Sequence, residues 1–415
     1  MKKIILILCF CFFATVNGQT VTTFAGSTQG YLDGTGISSK FSYPFGVCPD
    51  NSGNLYVADR YNHKIRKIVI ATGATTTLAG STSGYADGIG TAAQFYEPIG
   101  ICFDNNKYLY VSEFGNCKIR KIDITTGMVT TLAGTSFGYL DGAGSSAQFT
   151  LPVGICCDFI HGNLYVADYG NTKIRKIEIA TGIVSTVAGS TAGVTNGIGT
   201  NAKFNSPFGI CTDFYNLYIA DGSNNQVRKI NLNTTEVTNF ATMTNGLCYG
   251  IGIDYNGYLY VSDGDIKKID VLNSATVSIL AGSTSGYLDG LGTTAKFNKP
   301  AGLCVAGSNL YVADSDNGKI RKVTLPTTSL GVSQNEFLTT TSIYPNPNNG
   351  KFSINSNDEK VTQVSLFSLD GKLINTQKPN TLNPEIVLSE ISKGMYLVNI
   401  ILESGTESKS KIIIE

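Results

Sequence analysis

Only two histidines, His63 and His161, occur in the 415 residues. A relay centred on imidazole, or a His-rich metal cluster, has almost nothing to draw on. No phosphate loop of the Gly-x-x-x-x-Gly-Lys type is present. Cysteine is more plentiful. Five of the ten, Cys48, Cys102, Cys156, Cys211 and Cys304, fall at one place in a recurring segment. A disulfide needs Cα atoms within about 7 Å, which equivalent places in neighbouring repeat units do not offer, so these thiols read as small apolar core residues. A ring of thiols on a metal is the sharper alternative. Cys117, Cys157 and Cys248 lack an obvious partner in the sequence.

Carboxylates recur as well. Asp59, Asp168, Asp221, Asp263 and Asp314, with Glu113, each end an apolar run and precede a Gly/Asn-rich turn. An Asp there caps the turn by accepting backbone N–H bonds. The alternative is a ring holding Ca²⁺, which takes six to eight oxygens. A third recurring feature is Gly30-Tyr31-Leu32-Asp33-Gly34, followed by Phe41 and Pro44. It returns as Tyr85/Asp87/Phe95, Tyr139/Asp141/Phe149, Val194/Asn196/Phe204 and Tyr287/Asp289/Phe297. Tyr31, Tyr85, Tyr139 and Tyr287 are candidate binding aromatics. Their regular repetition favours packing instead, because repetition is how a structural solution looks.

The elements that position these residues follow from the repeat. Pro44, Pro98, Pro152, Pro207 and Pro300 each open a Pro-x-Gly-x-Cys run, and Tyr249-Gly250-Ile251-Gly252 is a degenerate sixth. A second run follows, as in Leu55-Tyr56-Val57-Ala58-Asp59, then a third, as in Lys64-Ile65-Arg66-Lys67-Ile68. A fourth closes the unit, as in Val129-Thr130-Thr131-Leu132-Ala133-Gly134. Four short β-branched or aromatic runs bounded by Gly, Asn and Asp predict four strands, one propeller blade. The sixth copy lacks its fourth run, whereas Val21-Thr22-Thr23-Phe24-Ala25-Gly26 supplies one at the start. The N-terminal strand is expected to complete blade 6, closing a ring over residues 19–324 without open edges.

These motifs resemble the NHL repeat, with Tyr61-Asn62-His63-Lys64-Ile65-Arg66-Lys67-Ile68 as the nearest copy. The resemblance implies an all-β, six-bladed propeller, and little about activity, because such propellers host binding proteins, sensors and some lyases. NHL-like lyases use several histidines near the channel, which this chain does not supply. Some NHL propellers bind RNA. Here the Lys-Ile-Arg-Lys runs hold 16 of the 31 basic residues against 31 acidic ones. They read as strand positions whose stems pack beside neighbouring blades while the charged tips reach solvent or nearby Asp, and no nucleic acid is expected as a partner.

The two ends of the chain concern delivery. Lys2 and Lys3 precede an apolar run from Ile4 to Ala14, too short to span a bilayer. Residues 1–18 are read as a signal peptide with Gln19 as the mature start. Loss of Lys2 and Lys3 would leave 29 basic against 31 acidic residues. No transmembrane span is expected in the mature chain. Residues 325–341 are read as a linker. Residues 342–415 carry Tyr344-Pro345-Asn346-Pro347, a hairpin signal at Leu369-Asp370-Gly371 and Gly394-Met395-Tyr396-Leu397-Val398. Together these resemble the type IX secretion C-terminal sorting domain of the Bacteroidota, a small β-sandwich. The resemblance implies the secretion machinery as a partner and release to, or attachment at, the cell surface.

The fifth unit departs from the others. It lacks the Tyr-x-Asp-Gly insertion, and its second loop shrinks to Asp263-Gly264-Asp265. Both short loops leave one end of the blade, so a notch is expected in that face, with Tyr249, Tyr255, Asp263, Asp265 and Asn224 as candidate ligand contacts. Decay of the repeat is the alternative. The chain is expected to be an exported, non-enzymatic scaffold for a protein or glycan ligand, without a cofactor other than a candidate Ca²⁺. The competing reading is a lyase or hydrolase with a metal in the central channel.

Overall fold

The computed structural model describes residues 19–325 and 341–414, apart from residues 51, 245, 255, 272–274, 357–358, 369–372, 390 and 406. The signal-peptide segment, most of the linker, Asp370-Gly371 and Tyr255 therefore lie outside the described residues. The chain divides into two compact units, Met1–Thr327 and Thr328–Glu415.

The first unit is a six-bladed propeller. In blade 1 the strands Pro44–Pro49, Asn54–Asp59, Lys64–Val69 and Ala74–Ala79 run from the axis outward as an antiparallel meander. Apolar residues of adjacent blades interdigitate between the sheets. Cys48, Tyr56 and Ile65 of blade 1, for example, share a core with Ile101, Leu109 and Val111 of blade 2. All eight cysteines of the described residues are free and buried. Burial pushes their thiols up, those of Cys157 and Cys248 to about 12, so they behave as apolar filler.

Blade 6 takes its outer strand from the N-terminus. Thr20–Ala25 pairs antiparallel with Lys319–Thr324, with Val21 opposite Val323. The two chain ends of the propeller are thus clasped in one sheet. At the axis, every inner strand places a glycine against the next blade. A Cβ on Gly100 would lie 2.1 Å from the Val153 carbonyl oxygen, and one on Gly154 would lie 2.2 Å from that of Phe208. Backbone meets backbone there, so no other residue fits.

Two features depart from the expectations. The Tyr-x-Asp-Gly insertion does more than crown a face: its middle lies down as a fifth strand. Gly34–Thr35 pairs with the outer strand of blade 1, and Gly88–Ile89, Gly197–Ile198 and Gly290–Leu291 do the same in blades 2, 4 and 6. The second concerns the arginines of the Lys-Ile-Arg-Lys runs: of the two ends expected for their tips, solvent or nearby Asp, they take the Asp and leave solvent altogether. Arg66, Arg120, Arg175, Arg228 and Arg321 are fully buried. The Arg66 guanidinium donates to Asp59 Oδ2 at 2.7 Å, Asp33 Oδ1 at 2.6 Å, and the carbonyls of Leu32 and Lys40. Its plane is sandwiched between the Tyr31 and Phe41 rings, each 5.0 Å away. The reason is the insertion, which brings an acid and two carbonyls over the third strand. That set neutralises and saturates a cation which would otherwise be expelled to water.

The second unit is a small β-sandwich. One sheet holds Ser342–Tyr344, Lys351–Asn355 and Glu385–Val387; the other holds Leu373–Gln377, Val361–Phe367, Gly394–Leu402 and Glu407–Ile414. Phe352, Ile354, Leu366, Val398, Ile400 and Ile412 fill the space between them.

Two predictions follow from the closure and the clamp. Removing Val21 to Gly26 opens an edge in blade 6 and unclasps the ring; light scattering and thermal melting should show aggregation or a large loss of stability. A deletion that melts like the parent would refute six-blade closure. Arg175→Ala leaves Asp168 buried without its cation and should cost about 3–5 kcal/mol in denaturant unfolding. Tyr139→Phe, which loses only a hydroxyl bond to Thr186, should cost about 1 kcal/mol.

Candidate functional site at the channel mouth

The turn carboxylates do not line the channel. Asp59 Oδ1 accepts the Ser42 backbone N–H at 2.7 Å, while Oδ2 accepts Asn62 Nδ2 and the Arg66 guanidinium. Glu113, Asp168, Asp221 and Asp314 repeat this arrangement. Both oxygens of each are spent inside the blade, so this is turn capping extended into a charge hub. The channel itself encloses about 70 Å³ between the inner strands, lined by Val47, Ile101, Ile155, Ile210, Ile251 and Leu303 with the axial glycines. That lining contains no metal-ligating side chain. Among the described residues no three His, Cys, Asp or Glu side chains stand together as a metal ligand set.

The two histidines are far apart in role. His63 Nδ1 accepts the Glu97 backbone N–H at 3.2 Å, and its imidazole pKa is lowered by burial. His161 bonds Asp158 at 2.7 Å in the hairpin between the first two strands of blade 3, the opposite end of the blade from the turns that follow the second strands.

The positions that build the blades are nearly constant from unit to unit: Pro, axial Gly, hub acid, turn Asn, clamp Arg. Three positions around the channel mouth vary. The residue before the inner-strand proline is Tyr43, Glu97, Leu151, Ser206 or Lys299, and all five hold left-handed φ angles between 52° and 62°. Non-glycine residues rarely keep that conformation unless their surroundings impose it. The residue after the hub acid is Arg60, Phe114, Tyr169, Gly222, Gly264 or Ser315, and the residue before the axial glycine is Phe45, Ile99, Val153, Phe208, Tyr249 or Ala301.

Nine of these residues, Tyr43, Phe45, Ile99, Phe114, Val153, Tyr169, Phe208, Tyr249 and Ala301, gather into one apolar cluster. Tyr43 and Tyr61 are 5.0 Å apart. Arg60 lies 5.0 Å from both the Tyr61 and Phe114 rings and pairs with Glu97 at 2.6 Å. Tyr169, Phe208 and Tyr249 continue the wall at 5.0 and 5.1 Å. Aromatic and guanidinium faces stacked this way form a rigid platform. On the remaining side, blades 5 and 6 contribute Tyr249 and Lys299 to these positions, but otherwise only the small residues Gly264, Ala301 and Ser315.

The shortened loop of blade 5 leaves a cleft of about 530 Å³ against blade 6, lined by Gly264, Ser283, Ser285, Phe297, Asn298, Lys299 and Asp316. Of the candidate contacts, Tyr249 stands in the aromatic wall. Asp263 and Asp265 are buried and pair with Lys267 at 3.8 and 2.8 Å. Asn224 Nδ2 is committed to Asp221 and the Gly193 carbonyl, each at 2.7 Å. The neighbours of position 255, Asp254 and Tyr258, join the first two strands of blade 5 at the end away from Asp263. Tyr31, Tyr85, Tyr139 and Tyr287 are about half exposed, each with its hydroxyl on a threonine of the outer strand and its ring over the clamp arginine. Sequence reasoning missed Arg60, Phe114, Tyr169, Phe208 and Lys299. Aligning the units and looking for the columns that vary would have found them.

Comparison with known proteins places this architecture. Residues 41–68 match the NHL repeat model and residues 342–415 match the secretion system C-terminal sorting domain. NHL repeat-containing protein 2 of Gallus gallus is 27% identical over 350 residues, 71% of this chain and 48% of that protein, so the chain spans about half the length of that relative. A protein of unknown function from Bacteroides thetaiotaomicron superposes with a TM-score of 0.57 at 21% identity, covering 74% of this chain and 76% of that one. An auxiliary nutrient binding protein of the same organism gives 0.56 at 16%, with the same coverage. The C-terminal match indicates export through type IX secretion to the cell surface or medium. The chain carries an NHL repeat within a six-bladed propeller closed by the strand Thr20–Ala25, and a secretion system C-terminal sorting domain over residues 342–415.

Proposed function

We propose that the propeller is an exported, non-enzymatic binding module that takes a protein or glycan ligand at the channel mouth. The observation that carries this is the division of labour within the repeat. Blade-building positions stay fixed, while the positions that differ converge on one rim, where aromatic and guanidinium groups are held rigid and partly open to water. Rigid aromatic anchors are what binding surfaces use. A propeller of similar fold is described as an auxiliary nutrient binding protein, a role of the same kind. No helix of the described residues is long and apolar enough to cross a membrane, and residues 342–415 are the part that engages the secretion machinery.

Pull-down with the mature chain against extracellular polysaccharides and surface proteins identifies the ligand class. Tyr61→Ala, which removes an exposed aromatic stacked on Tyr43 and Arg60 at the mouth, should then weaken binding about 30-fold, as truncated hot-spot aromatics do. Ile198→Ala on the outer edge should leave affinity unchanged. Equal losses at both places would defeat the mouth assignment. Deleting residues 342–415 should leave the melting transition of the propeller unchanged and stop delivery to the cell exterior; a truncated chain that fails to fold, or is still delivered, would contradict this.

A further inference from the structure

Blade 5 differs from its neighbours at several linked places. Lys267 stands where the others have the clamp arginine, Asp265 where they mostly have lysine, and Ile279 where they mostly have the threonine that meets the insertion. The 3-10 turn that follows the second strand in blades 1, 3, 4 and 6 is reduced to Gly264. Decay alone would leave a buried charge stranded, because burying an ion without its counter-ion is costly. Here the charges were rebuilt: Lys267 is buried and bonds Asp265 at 2.8 Å, with Asp263 at 3.8 Å. The turn is lost and a buried lysine paired with two aspartates lies beneath it, beside the cleft against blade 6.

The cleft mixes apolar surface with two serine hydroxyls, an amide and two charged groups. Ser285 Oγ donates to Asn298 Oδ1 at 2.9 Å, Ser283 Oγ to the Ala295 carbonyl at 3.0 Å, and Phe297 below them is buried. At the rim Lys299 and Asp316 carry opposite charges and are both exposed. The neighbouring Tyr43 hydroxyl raises the Lys299 pKa, keeping it cationic. The lining offers donors and acceptors in balance with no net charge, and its volume is that of a small-molecule site. We infer that the cleft between blades 5 and 6 is a subsite for a neutral saccharide of one or two rings, whose hydroxyls accept from Lys299 and donate to Asp316. This rests on the binding reading above and narrows its ligand to carbohydrate at this subsite.

The test is calorimetric titration of the mature full-length chain with cellobiose, maltose, lactose and mannobiose, and with glucuronate and galacturonate as charged probes. At least one neutral disaccharide should saturate. Its affinity should fall about tenfold in Lys299→Ala and in Asp316→Ala, and vanish in Ser285→Trp, which fills the cleft from an exposed position. Ile198→Ala, on the outer edge, should change it less than twofold. The inference is overturned if no neutral saccharide saturates, if uronates bind more tightly, or if Ser285→Trp binds like the parent. Binding that is lost in Tyr61→Ala and kept in Ser285→Trp would overturn the cleft while upholding the mouth. Polysaccharide or protein capture at the mouth without any disaccharide affinity would do the same.

Discussion

The propeller depends on buried guanidinium groups. Five arginines sit between sheets with no access to water, and each ties its own strand to the hub acid of the second strand and to the acid or amide and the carbonyls of the insertion some thirty residues away. A cation in that position costs several kcal/mol in desolvation unless it is saturated. The insertion is therefore held down on the blade, and it caps the outer strand in turn. The aromatic pair that flanks the guanidinium adds cation–π attraction and excludes water.

The same constraint explains blade 5. Without the insertion, an arginine there would lose the insertion's carboxylate and both carbonyls. A lysine takes its place and pairs with Asp265 at 2.8 Å and Asp263 at 3.8 Å. Once the insertion and turn are gone, the outer strand Val277–Ala281 lacks the fifth strand seen in blades 1, 2, 4 and 6, and Ile279 is half exposed. Absence of one loop thus propagates to the third strand, the outer strand and the cleft.

At the axis a second constraint operates. Six inner strands converge so closely that the contact is backbone on backbone, which demands glycine and leaves a narrow apolar bore. Apart from Tyr249, the bore is lined by glycines and apolar side chains. Variation between units is pushed outward to the mouth, where side chains are free to differ because the proline, hub and clamp beneath them carry the fold.

Much of this was legible in the residues alone. Strand boundaries, blade number and the ring closure follow from short-range patterns: alternating apolar runs, Gly/Asn turns, and a fourth strand missing at one end and present at the other. The cysteines as core filler and the Asp turns were legible for the same reason, since each rests on neighbours close in sequence. The fate of the arginines was not. Arg66 meets Asp33, 33 positions earlier in the chain, and only the folded blade brings an acid and two carbonyls over the third strand. Nor does any local pattern say that the insertion pairs as a fifth strand, that Asn224 is consumed by its own turn, or that Lys299 and Asp316 face one cleft. Those facts depend on how six sheets pack around an axis. Sequence determined the repeat and its closure; tertiary packing decided which polar groups are spent inside the blades and which are left for a ligand.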